Sequence, residues 1–499
     1  MTNFERKERD LKENCPEGFK AKMKEISINK TKAEDKIPIH EKSLYGTGGI
    51  ALHTTNNMMD NQIQNILVYG LGMSPIMNSV MLMIFRLWDA FIDPLAGWIS
   101  DNTRTRFGRR RPFMFVATFA MALILPFVWR FNQEWAMIWI AVWFTLFGIL
   151  MSTATTAYNI PFQTLKLEMT PDYHERTSIN VYAGIFIKIF MFFSPWVWAM
   201  TQLPFFTGQP AGEEANSLLG IRNITLWVMP IIIVMGLIPT FICKERYYHL
   251  ASKQKKEPFW KSFKMTLKSQ PFRLMLLFIL FLNLEGLVLS MGGYIKVYYV
   301  CGGDKVLAAK LIGIGGTASA ILGLLSLPVF GWLSRKYGKQ NSLLLVVGGQ
   351  IAMALSILIF FNPNYPYLSV VPHALNGILI SGLWTIVASM KADIVDDDEL
   401  INKERREGSF ESVFSWFQKF SGTLFLGLSG FIVVWLGFDI KVEEAQIDGV
   451  FMRIILAMAL IPAILSVLEF LIIKAWPLTE ERMAEIRNNL EDRRGNING

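Results

Sequence analysis

The sequence predicts an all-α membrane protein with twelve spans in two related six-span halves. Three observations predict it: a series of long apolar runs, a one-sided distribution of lysine and arginine between them, and an internal repeat. About 20 apolar residues cross the hydrocarbon core of a bilayer. Runs of that size are expected at 45–68, 76–100, 112–132, 136–160, 179–202 and 222–243, then at 272–300, 306–334, 341–361, 366–390, 412–437 and 450–474. The first run is the most polar, because His53–Gln62 carries Asn56, Asn57 and Asp60. It crosses only by turning those groups towards a polar interior. Of the 499 residues 52% are hydrophobic and 18% charged, against about 25% charged in soluble chains. That composition excludes a disordered chain, a collagen-like fibre and a disulfide scaffold, and argues against an ordinary soluble enzyme.

Orientation follows from lysine and arginine, which gather on the cytoplasmic side. The connectors 101–111, 163–178, 244–271, 335–340 and 391–411 hold 22 basic residues, and the six on the other side hold three. An even number of spans then puts both termini in the cytoplasm, with the plasma membrane, a bacterial inner membrane, as the expected location. The net charge of +8 is spread over these connectors rather than along one stripe, so nucleic acid is not an expected partner. The first 44 residues hold 20 charged ones and no apolar core, which is not the pattern of a cleavable signal peptide. Cys15, Cys243 and Cys301 form neither a ligand cluster nor an even framework.

The repeat is short and clear. Pro94–Ser100 (PLAGWIS) returns as Pro328–Ser334 (PVFGWLS), offset by 234 residues, and each copy closes a span and opens a basic connector. Paired halves with a solute site between them are the architecture of many secondary transporters. The expected division is a polar cytoplasmic head at 1–43, a six-helix bundle at 44–243, and a basic linker at 244–271. A second bundle at 272–475 and a cytoplasmic tail at 476–499 complete it. The linker reads equally as a surface-lying amphipathic helix or a solvated segment, and head and tail as flexible.

The chemistry concentrates in Arg86–Pro94. Asp89 and Asp93 lie four apart and share a helix face. A carboxylate at the bilayer centre costs about 2.5–3.5 kcal/mol on insertion scales. Two in one span need partners, either an internal salt bridge with Arg86 or with a lysine elsewhere, or a cation site. Such a site takes a metal on hard oxygens, Na+ on Asp89 and Asp93, or a proton shared by close carboxyls. The next segment, Gly97–Pro112, brings Asp101, Arg104, Arg109 and Arg110 to the cytoplasmic end, where they set topology and can also latch neighbouring helix ends. Glu175, Arg176, Asp393 and Arg405 stand at the corresponding connectors and complete the expected gate. Lys188 and Glu285 lie near span centres and are candidates for a charged solute.

The run from Arg86 to Pro112 resembles the signature of the glycoside–pentoside–hexuronide:cation symporters, a branch of the major facilitator superfamily. Ala157–Leu165 with Thr170–Thr177, and Ala392–Glu399 with Arg405–Gly408 and Lys419, are similar to two further blocks of that family. The resemblance covers 45–474 and implies the major-facilitator fold. It implies cation binding at Asp89 and Asp93, a contribution from Thr156, and a lysine beside them, Lys419. It implies cation-coupled symport of a sugar, glycoside or uronic acid by a monomer, without catalysis or cofactor.

The departures matter too. Where the melibiose-type pattern has a sodium-binding Asn, this chain has Ile92, which favours H+ over Na+ as the coupling ion. The family's sugar-holding positions carry His53, Asn159, Gln163 and Gly184 here, while Trp384 keeps a site-lining Trp. His53, Asn56, Asn57, Asn159, Gln163, Lys188, Glu285 and Trp384 are therefore the candidate solute contacts. A galactoside is not implied. Lysolipid carriage is the alternative within the superfamily. No HExxH, GxSxG or Walker A pattern supports an enzyme.

Overall fold

The computed structural model describes residues 36–494 apart from 104, 106, 171–172, 210–215, 247–263, 265, 290, 404–405, 443–445 and 447–448. Among the described residues there is no strand, only an isolated bridge between Thr105 and Gly108. Helix α1 (Ile39–Asn56) continues through π-helical turns at Asn57–Asn61 and Gln64–Val68. Then follow α2 (Pro75–Asn102), α3 (Arg111–Val128), α4 (Met137–Met169), α5 (Tyr173–Phe193) and α6 (Ser217–Ile242). The second set is α7 (Gln270–Leu289), α8 (Lys305–Tyr337), α9 (Lys339–Phe360), α10 (Val370–Asn402), α11 (Glu407–Trp435) and α12 (Val450–Lys474), and α13 (Glu480–Arg494) comes last.

Helix starts follow local chemistry. Pro75 opens α2, where a missing N–H costs nothing. Asn216 and Asp304 cap α6 and α8 by accepting from Leu219 N at 3.1 Å and Leu307 N at 2.9 Å. The helices α2 to α12 are long and apolar enough to cross a membrane. Helix α1 is as long but polar, and its Thr55, Asn57 and Gln62 are buried against its neighbours rather than turned to lipid.

Packing repeats the halves pair for pair. In the first half α1 packs on α5 and α6, α2 on α4, and α3 on α4 and α6. Adding six to each number gives the second half: α7 on α11 and α12, α8 on α10, and α9 on α10 and α12. The seam between halves is made by α2 with α11 and by α5 with α8, which exchange under the same operation.

The two glycine turns after α2 and α8 also correspond. Gly108 (φ 108°) and Gly338 (φ 80°) hold backbone conformations that favour glycine. Each has a glutamate from beyond the sixth helix of its half beside it, Glu245 and Glu480. Glu245 accepts the backbone N–H groups of Arg109, Arg110 and Arg111 at 2.8, 2.9 and 3.2 Å, an anion on the open N-terminus of α3.

Both chain ends differ from the sequence expectation. Residues 39–43 of the expected polar head are already helix, with Glu41 and Lys42 buried. Glu41 takes Arg246 at 2.5 Å, and Lys42 takes Glu175 at 2.8 Å. The tail is not free either. Helix α13 packs on α10, burying Met483, Ile486 and Leu490 in the core that Ile394 and Val395 share. Three apolar residues spaced i, i+3, i+7 gave it a face to bury. Most of the linker expected at 244–271, residues 247–263, lies outside the described residues, as does the head before residue 36.

Candidate functional site

Helices α2 and α4 run side by side, and an offset of 63 residues pairs them turn by turn. Phe85 packs where Gly148 leaves room, 3.2 Å from the position of an absent Cβ. Ser152 donates to Asp89, Thr156 donates to Asp93 at 3.0 Å, and Gly97 faces Ile160. The carboxylates thus stand on consecutive rungs, each with one hydroxyl. Asp93 also takes Lys419 Nζ of α11 at 2.6 Å, an ion pair across the seam. Lys419 is 62% exposed and Asp93 27%, so this end of the seam is open to small ions.

Arg86 pairs with Asp60 of α1, not with either member of the Asp89/Asp93 pair. The bridge to Arg86 is therefore used elsewhere, while the bridge to a lysine is present at Asp93 through Lys419, and no described ion pair reaches Asp89. No group of three or more His, Cys, Asp or Glu could hold a metal among the described residues. The available ligands are two carboxylates and two hydroxyls, hard oxygens that fit a small cation.

The bonds described between the halves lie at this ion pair or on the side away from the basic connectors. Ser79 Oγ accepts from Gly430 N at 2.9 Å, and Trp196 Nε1 donates to Thr317 Oγ1 at 2.8 Å. Gln202 donates to Lys305 O at 3.2 Å. Tyr69 stacks edge-on against Tyr294 at 5.3 Å between ring centres. Towards the basic side Phe91 and Leu95 of α2 are exposed, as are Phe420 and Leu424 of α11. The seam is closed at one end and parted at the other.

The expected gate residues sit at the parted end, and their described partners belong to their own halves. Arg110 donates to Ser100 at 2.8 Å, Arg109 N to Glu245, and Glu175 pairs with Lys42. Asp393 takes Lys339 at 2.6 Å, and Arg406, part of the Arg405–Gly408 block but not of the expected gate, binds Asp398 through two nitrogens, the closest at 2.5 Å. Arg104 and Arg405 lie outside the described residues, as do the side chains of Asp101 and Arg176.

The expected solute contacts divide into two sets. Glu285 and Trp384 line one cavity of about 330 Å³ inside the second half, together with Asn283, Gln350 and Asn376. None of His53, Asn56, Asn57, Asn159, Gln163 and Lys188 lines it; they belong to α1, α4 and α5 of the first half. Helices α1 and α5 pack closely, with Ile187 3.0 Å from the Cβ position of Gly49, so His53 and Lys188 are on neighbouring helices. Gln163 is exposed and accepts from Lys166 at 3.2 Å. Asn57 is buried with Oδ1 unbonded.

Two pseudo-symmetric six-helix halves, a seam closed at one end, and ionisable groups inside the spans define a membrane transporter. Residues 44–480 match the family model described as MFS/sugar transport protein, and the chain belongs to that family. It is 23% identical over 475 residues to a sodium-dependent lysophosphatidylcholine symporter 1-A of Danio rerio, covering 89% of this chain and 87% of that one. It is 24% identical over 434 residues to a glucuronide carrier protein homolog of Escherichia coli (strain K12), covering 83% and 87%. Its fold is similar to the crystal structure of the nucleoside transporter NupG, with a TM-score of 0.59 at 12% identity over 87% and 98% of the two chains. The resemblance to the cation-symporter branch and the expected fold are borne out, and the matched proteins are transporters, not enzymes.

Proposed function

We propose that the chain is a cation-coupled symporter working by alternating access, with the cation held by Asp89, Asp93, Thr156 and Ser152. The observation that carries this is the Lys419–Asp93 ion pair across the seam. With no cation bound, the ammonium neutralises Asp93. A cation on the carboxylates takes over that role, and the link between halves weakens. Cation occupancy and the relative position of the halves then share one free energy, which coupling requires. The basic side is the cytoplasmic one, so this conformation opens inward from a bacterial inner membrane with both termini inside.

The solute in this reading is a sugar, glycoside or uronic acid, and the ion a proton. Trp384 offers a ring to stack on, and Asn283, Gln350 and Asn376 offer hydrogen bonds, in a cavity of small-molecule size. No atom lies within 4 Å of the Cβ position at Gly184, so room remains where the family pattern has an Arg. Lys188 suits an acidic solute. The glucuronide carrier homolog supports this class. A second reading, sodium with a lysolipid, is favoured by the extra oxygen that Ser152 supplies and by the sodium-dependent lysophosphatidylcholine relative.

Uptake into proteoliposomes, with proton and sodium gradients imposed separately, tests both. Glucuronides, neutral glycosides and lysophosphatidylcholine are the probes. The expected result is glycoside accumulation that follows the proton gradient and collapses with a protonophore. Strict sodium dependence moves the ion to the second reading. Accumulation of none of these solutes under either gradient overturns the proposed function.

A further inference from the structure

Two glutamates of the second half take no part in the cation site above. Glu285 of α7 is 6% exposed, and Glu469 of α12 is fully buried. Ser466 lies three residues before Glu469, on the same face of α12, and donates its hydroxyl to Glu285 Oε1 at 2.7 Å. That bond brings the Glu285 carboxylate to the face of α12 that carries Glu469, across the α7–α12 contact. Neither oxygen of Glu469 has a hydrogen-bond partner. Gln350 of α9 is 4% exposed with Oε1 unbonded, and it lines the same cavity as Glu285.

No described ion pair brings a cation to either acid. Lys419 of α11 holds Asp93, Lys339 of α9 holds Asp393, and Lys391 of α10 holds Glu411. His373 of α10 lies against Gly315, and Arg453 of α12 lies by Gly437. Lys474 ends α12, and the acidic run Asp393–Glu399 belongs to the basic end of α10. Arg273 and Lys296, on α7 and its continuation, are about 16–18 Å along the axis from Glu285 at 1.5 Å per residue.

Two ionised carboxylates cannot share an apolar site without a counter-ion. Ser466 is the one described donor to either acid, and both oxygens of Glu469 are without one. A carboxyl proton removes a charge and adds a donor at once.

We propose that Glu285 and Glu469 form a proton-binding site of the second half, holding a proton between the two carboxyls and exchanging it through the cavity that Glu285 lines. The step is acid–base only. A proton from hydronium in the cavity adds to a carboxylate oxygen and leaves water, and the new O–H donates to the facing carboxylate. The site does not depend on the role of Asp89 and Asp93, which lie in the other half, so a variant there serves as control.

Infrared spectra of the purified full-length protein, grown with glutamate carrying 13C at the side-chain carboxyl, test the proposal without a solute. At neutral pH a protonated-carboxyl stretch that shifts with the label and with D2O is expected. It should lose half or more of its intensity in Glu469→Gln and keep it in Asp93→Asn. A labelled wild type without that band overturns the proposal, whatever the variants do. So does a band that survives unchanged in both Glu469→Gln and Glu285→Gln.

Discussion

The two ends of the seam between halves are held by different forces. At the closed end the halves meet through glycine and hydroxyl contacts: Gly430 against Pro75 and Ser79, Gly313 against Trp196, and Gly316 against Pro195. These are short-range packing contacts, strong only while surfaces touch. At the parted end the last link is a charge, Lys419 on Asp93, beside two more oxygens. A charge link can be switched by an ion, whereas packing is broken only by separation. The difference shows where an ion can act on this molecule and where a solute must do the work.

The largest effect comes from removing the switchable link's acids. Asp89→Asn with Asp93→Asn keeps the side-chain shape and hydrogen-bonding reach but removes both charges. Accumulation against a gradient in the proteoliposome assay should fall to background, a loss of at least about 100-fold, or about 2.7 kcal/mol of coupling. Solute exchange without a gradient should persist. If accumulation survives, the ion does not act at this end.

The closed end responds to volume rather than charge. A Cβ at Gly430 would stand 2.5 Å from Ser79 Oγ and nearer still to Pro75 O, which is backbone and cannot rotate away. Gly430→Val should therefore cost this conformation about 1–3 kcal/mol, shifting the population towards opening at that end by about 5- to 150-fold. Spin labels at Gln133 and Asn364, exposed loop positions in different halves, should report a longer distance. An unchanged distance distribution would show that the contacts at Gly430 do not hold the end shut.

The sequence made the charged end easier to see than the packed end. Asp89 and Asp93 stand out because acids in apolar runs are costly. Ser152 was legible too. Once Asp93 is placed with Thr156, the i, i+4 spacing of the acids requires a partner four residues before Thr156, and that residue is Ser152. The spans and the repeat follow from run length and pattern. Glu469 is a lone acid in the 450–474 run, and the same cost argument applies to it. The within-half partners of Glu41, Glu175 and Asp393 were not legible, because charge patterning places ions at an end without choosing between neighbours. The docking of α13 is not legible, because the surface that accepts Met483, Ile486 and Leu490 is formed by helices far away in sequence.

The two described cysteines sit at opposite ends and give the smallest predicted effect. Burial, with the Glu41 carboxylate adding to it, pushes the Cys243 thiol at the basic end up to about 12. Burial pushes the Cys301 thiol at the closed end up to about 11. The ordinary value is about 8.5. A raised thiol is favoured neutral by the fold. Its contribution to stability is complete below about 8.5 and is lost as pH rises through 11 to 12. In a Cys15→Ser background, maleimide labelling at neutral pH should run about 10³-fold slower than for a free thiol, since the thiolate is the nucleophile. Cys301 should label about tenfold faster than Cys243, and denaturation should abolish the difference. Opening of the closed end by Gly430→Val should speed Cys301 and leave Cys243 unchanged. Equal acceleration at both cysteines would mean that the substitution loosens the whole molecule and that the two ends are not separately held.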